Sequence, residues 1–122
     1  MFNEIFMEVI SKEGIVSITT CADNEAHVVN TWNSYVSFKD NNIFLPVAGM
    51  NKMEEILENE NRVIVVIGTK ELMGLHGMGM GVKIVGKAKI FQDIEEYKIM
   101  KTKFEWARAV MKIEILDAYQ TT

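Results

Sequence analysis

Two short turns rich in asparagine and aspartate constrain this chain most. Asp23-Asn24-Glu25 and Asp40-Asn41-Asn42 each separate runs of apolar, β-branched and aromatic residues. Asn and Asp tolerate the left-handed backbone that a tight reversal needs, so turns of this kind between such runs predict hairpins. The first strand is Ile15-Val16-Ser17-Ile18-Thr19-Thr20, the second runs from Ala26 to Phe38, and the third from Ile43 to Val47. The only proline, Pro46, falls near a strand end, where its missing N–H is tolerated.

The remaining segments extend that pattern. Phe2, Ile5, Phe6, Val9 and Ile10 recur at helical spacing and predict an amphipathic helix stopped by Gly14. Asn51 is placed to cap a short helix, with Glu54 as its reciprocal partner and Met53, Ile56 and Leu57 as the buried face. Arg62 to Gly68 reads as a strand buried on both faces. Val82 to Phe91 reads as another, beyond the glycine-rich loop Gly74 to Gly81. A helix from Ile94 to Trp106, burying Tyr97, Met100 and Phe104, precedes a closing strand from Val110 to Leu116. Six strands joined mostly by short turns predict a mainly β fold, a six-stranded antiparallel β-barrel with capping helices.

Composition bounds the function. With 122 residues, 48% hydrophobic and 25% charged, the chain is expected to form one domain over residues 1–122. No apolar run approaches the length of a membrane span and the N-terminus does not resemble a signal peptide, so a cytoplasmic protein without membrane contact is expected. Cys21 is the only cysteine and is expected to be a buried, inert thiol. The 13 basic residues are scattered and outnumbered by 17 acidic ones, which argues against nucleic acid as a partner. His27 and His76 lie on different segments without metal-ligand spacing, and Met73, Met78 and Met80 have no cysteine beside them, so no metal site is expected.

Two stretches point to a ligand. The second strand carries Asn30, Thr31, Trp32, Asn33 and Ser34 at its centre, with polar groups on both faces. Such a strand either contacts a flat, partly polar ligand or is an exposed edge whose polarity deters aggregation. The other stretch is Val47-Ala48-Gly49-Met50-Asn51-Lys52, a strand end that turns through glycine into a helix. Helix amides and Gly49 suit a phosphate there, and Lys52 in the first turn either meets that anion or points to water. The loop around Gly77, Gly79 and Gly81 leads into a strand and is therefore not a dinucleotide fingerprint.

Together, Val29-Asn30-Thr31-Trp32-Asn33-Ser34-Tyr35 and Pro46-Val47-Ala48-Gly49-Met50-Asn51-Lys52 resemble the FMN-binding split barrels related to pyridoxamine phosphate oxidase. The likeness extends to Phe104-Glu105-Trp106-Ala107-Arg108-Ala109 and to Gln120-Thr121. The resemblance implies a homodimer with one FMN per subunit, held partly at the interface. Asn30, Thr31, Trp32 and Asn33 would line the flavin. Val47, Gly49, Met50 and Lys52 would surround its phosphate, and Trp106 and Thr122 would approach the ring from the partner chain. Thr122 departs from the bulky apolar residue of the family pattern. The function implied is non-covalent FMN binding with electron transfer to or from a redox partner protein. The alternative is a flavin-dependent oxidoreductase, either a nicotinamide-dependent flavin reductase or a small-amine oxidase.

Overall fold

The two asparagine turns form as two-residue hairpin loops. In the computed structural model, which describes residues 2–122, Asp23 and Asn24 have φ of 53° and 63°, and Asp40 and Asn41 have 52° and 63°. Positive φ at both central residues matches the right-handed twist of the flanking strands. These turns join β1 (Ile15–Ala22) to β2 (Glu25–Trp32) and β3 (Ser37–Lys39) to β4 (Asn42–Val47). The later strands β5 (Arg62–Met73), β6 (Met78–Phe91) and β7 (Ala109–Gln120) complete an antiparallel sheet of order β2-β1-β5-β6-β7-β4-β3.

The sheet has seven strands where six were expected, because the second predicted strand is broken. Residues Asn33–Tyr35 form one 3₁₀ turn between β2 and β3. That break closes the barrel. In a flat sheet β2 and β3, the two edges, would lie about 29 Å apart at about 4.8 Å per strand spacing. The chain from Trp32 to Ser37 reaches at most about 18 Å even when fully extended. The sheet therefore curls until its two edges come together at the 3₁₀ turn, and among the described residues β2 and β3 do not pair across the split.

Helices fill the ends. On α1 (Phe2–Ile10), Phe6 and Val9 are fully buried, and the Phe6 ring lies 5.3 Å from that of Phe38. From α2 (Asn51–Leu57), Met53 and Leu57 enter the same core as Val16, Ile18, Leu45, Val65, Ile84 and Met111. The third helix, α3 (Glu95–Lys103), is shorter than predicted and buries Met100 against Phe44 and Val110, with Tyr97 and Phe104 partly buried beside them.

Three expectations are corrected. β5 alternates between buried and exposed residues instead of burying both faces, and Ile64 and Val66 stand in the open. The first residue before α2 is Met50, left-handed at φ 59° and ψ 30°, and no side chain caps the helix, so Asn51 is not the cap. Cys21 is exposed, because its strand position points it outward from a half-covered sheet.

Candidate functional site

The polar centre of the second predicted strand is divided between inside and outside by the pleat and the 3₁₀ turn. Thr31 is buried and pairs with Val16 across β1, whereas Asn30 faces out opposite Ser17. Trp32 pairs with Ile15 and leaves 47% of its surface exposed. Asn33 is fully buried and works as a staple. Its Nδ2 donates to the Val9 carbonyl at the end of α1 (3.2 Å) and to the Gly68 carbonyl of β5 (3.0 Å). Its backbone N–H donates to the Gly14 carbonyl at 2.9 Å. Asn33 Oδ1 is buried with no hydrogen-bond partner among the described residues.

An apolar groove of about 690 Å³ opens beside this staple, lined by Gly14, Ile15, Gly68, Thr69, Met80 and Thr122 among others. The chain end is pinned there, since Gly81 N–H donates to the Thr122 carbonyl at 3.1 Å and Thr121 N–H to that of Gly81 at 2.9 Å. Ile15, which lines the groove, pairs with Trp32 of β2. One chain thus gathers Trp32 and Thr122 at the same end of the barrel as buried Asn33.

Beyond the 3₁₀ turn lies a second group. Tyr35 stacks in tilted geometry with Phe104 (4.7 Å between centroids) and Trp106 (5.7 Å), and Trp106 is 49% exposed. Two residues further on, Arg108 reaches the Ala48-Gly49-Met50 loop. Its Nε donates to the Ala48 carbonyl (3.0 Å) and its Nη2 to the Gly49 carbonyl (2.7 Å) and to Glu54 Oε1 (2.8 Å). Val47 itself is buried in the core, so only its backbone serves the loop, by accepting the Arg108 N–H at 2.8 Å.

This loop leaves part of its backbone open. A Cβ built on Gly49 would meet nothing within 4 Å, so that side of the backbone is open. Neither the Gly49 nor the Met50 N–H donates a hydrogen bond among the described residues, and the first turn of α2 adds further free amides. A left-handed residue followed by helical ones turns successive N–H groups toward one concavity. The left-handed conformation of Met50 costs a non-glycine residue about 1–2 kcal/mol and persists only where surrounding bonds over-determine it. Lys52 does not close over the loop. It points along α2 into a second groove with Asp23, Glu25 and His27, about 430 Å³ in volume, and lies 4.0 Å from Glu55.

Sequence reasoning missed the pairing of Arg108 with Glu54 and the stacking of Tyr35 on Phe104 and Trp106. Glu54 stood at cap-box spacing, but its carboxylate turns to Arg108, which is 54 positions away and invisible to local spacing.

Comparison with known proteins places the chain in a family. Residues 2–121 match the model of the pyridoxamine 5'-phosphate oxidase family, and the protein belongs to that family. It is 39% identical over 117 residues to an FMN-binding protein of Nitratidesulfovibrio vulgaris strain Miyazaki F, covering 95% of each chain. Among solved structures it resembles HupZ of Group A Streptococcus, with a TM-score of 0.79 at 13% identity over 98% of this chain and 94% of that one. It also resembles an FMN-binding protein of Syntrophomonas wolfei, with a TM-score of 0.75 at 13% identity over 98% and 88%. These structural likenesses concern the fold.

Proposed function

We propose that this protein binds FMN non-covalently, as a homodimer, and carries electrons to or from a partner protein. The observation that carries the reading is the open Ala48-Gly49-Met50 loop, whose Gly49 and Met50 amides donate to nothing among the described residues, with the half-exposed indoles of Trp32 and Trp106 as candidates for the aromatic wall. A flavin needs an aromatic wall, ring-edge hydrogen bonds and an anion site, and these residues supply all three. The FMN-binding relative at 39% identity supports the choice of ligand.

Trp32 and Asn30 face out along β2 and offer a stacking surface and an amide to the ring, with Thr31 behind them. Asn33 holds β2 at the angle this requires and touches α1 and β5 instead of the ring. Gly49 and Met50 receive the phosphate, and Lys52 lends its charge by swinging from Glu55. When bound, FMN supplies the reversible redox chemistry of its ring.

The outward face of the sheet supports the homodimer. Two rows cross it, Asn30–Ser17–Val66–Lys83–Tyr119 and Val28–Thr19–Ile64–Val85–Asp117. Val28, Ile64, Val66 and Tyr119 are exposed there, with Ile15 and Trp32 alongside. Exposed apolar residues grouped on one sheet face suit contact with a second copy. Because Trp32 shares the face, a second copy packed there brings partner residues close to the proposed ring site, and Trp106 and Thr122 are the residues the family resemblance assigns to that role. The exposed free thiol of Cys21 suits the reducing cytoplasm.

The test is direct. The purified protein should be yellow, and denaturation should release a flavin that chromatographs as FMN. Colourless protein that takes up no added flavin would refute the proposal. Steady oxidation of NADH or NADPH, or of a small amine, without any partner protein would replace the carrier with an enzyme.

A further inference from the structure

We infer that Arg108 is a positioning residue for phosphate recognition, acting by aiming the backbone of the Ala48-Gly49-Met50 loop. The inference rests on the reading of that loop as the FMN phosphate site. The guanidinium forks across two successive carbonyls, with Nε 3.0 Å from Ala48 O and Nη2 2.7 Å from Gly49 O. In a planar trans peptide the carbonyl and the N–H point in opposite directions. Drawing the Ala48 and Gly49 carbonyls toward Arg108 therefore turns the next two amides, those of Gly49 and Met50, away from it. Those are the two loop amides that bond to nothing else among the described residues.

The fork is itself held at both ends. Glu54 on α2 accepts from Nη2 at 2.8 Å, and the Arg108 backbone N–H donates to Val47 O at 2.8 Å. Arg108 thus ties the start of β7, the end of β4 and the first turn of α2 around one loop, and it holds Met50 in its left-handed conformation. Lysine would keep the charge but, as a single ammonium, lacks the rigid planar fork that spans two carbonyls and a carboxylate.

The experiment measures dissociation constants for FMN and for riboflavin, which lacks the phosphate, by flavin fluorescence on the reconstituted protein. Four forms are compared: wild type, Arg108→Gln, Arg108→Lys and Glu54→Gln. Wild type should prefer FMN. Arg108→Gln should weaken FMN roughly tenfold or more, the scale of losing hydrogen bonds to a charged group, and leave riboflavin binding unchanged. Arg108→Lys should behave like Arg108→Gln, and Glu54→Gln should fall between it and wild type with the same selectivity.

Equal loss of both ligands in Arg108→Gln would show only a structural role and overturn the inference, as would full recovery by Arg108→Lys. If Arg108→Gln does not fold, Glu54→Gln decides, because it leaves the arginine in place, and unchanged FMN preference there overturns the inference. A wild-type protein that binds FMN no better than riboflavin would refute the phosphate site itself, and the inference with it.

Discussion

Asn33 and Gly14 show how one residue's chemistry fixes a whole end of the barrel. A Cβ on Gly14 would lie 2.0 Å from the Gly68 carbonyl and 2.7 Å from Asn33 Nδ2, so the loop before β1 passes through a gap only glycine fits. Gly14→Ala should cost about 1–3 kcal/mol, the range for forcing atoms into a packed interior. Asn33→Ala leaves the Val9 and Gly68 carbonyls without their donor and should cost about 2–4 kcal/mol, with both values read from urea unfolding. Gly49 is the contrasting case. Gly49→Ala meets no neighbour and should leave stability within about 0.5 kcal/mol while weakening FMN, because the added methyl occupies the ligand's side of the backbone. The sequence made Asn33 conspicuous as a polar residue in an apolar run, but not its use. Its partners are 24 and 35 positions away, and only the folded chain brings them together.

Among the elements, turns with an intrinsic chemical signature were legible and breaks imposed by closure were not. Asp23-Asn24 and Asp40-Asn41 announce hairpins because few side chains accept positive φ. Asn24→Val should therefore lose about 1–2 kcal/mol, whereas Asn24→Gly should be close to neutral, with unfolding midpoints giving both answers. Nothing local announces the 3₁₀ turn at Asn33–Tyr35, which exists because the two sheet edges must be joined by a short span. The start of α2 was misread for a related reason. Asn51 has the chemistry of a cap, but Arg108 holds the preceding loop so that Met50 takes that place. The double burial expected of β5 failed because hydrophobic residues on both faces of a strand do not say what covers the second face. Among the described residues, no second layer packs over Ile64 and Val66, which are 40% and 45% exposed.

That open face governs the behaviour of the whole molecule. Val66→Lys places a charge at the middle of the outward rows and leaves the inner core untouched. If the proposed homodimer uses this face, the substitution should convert it to a monomer in sedimentation velocity without lowering the folded fraction, and FMN should bind more weakly. A Val66→Lys protein that stays dimeric would move the interface elsewhere. That the Ala48-Gly49-Met50 loop and Trp32 serve a flavin site with a phosphate pocket is tested most directly by titrating the apo-protein with FMN, FAD and riboflavin in parallel. FMN fluorescence should be quenched at one flavin per chain, with riboflavin binding markedly more weakly. Absence of a complex with FMN, or equal affinity for all three flavins, would contradict it.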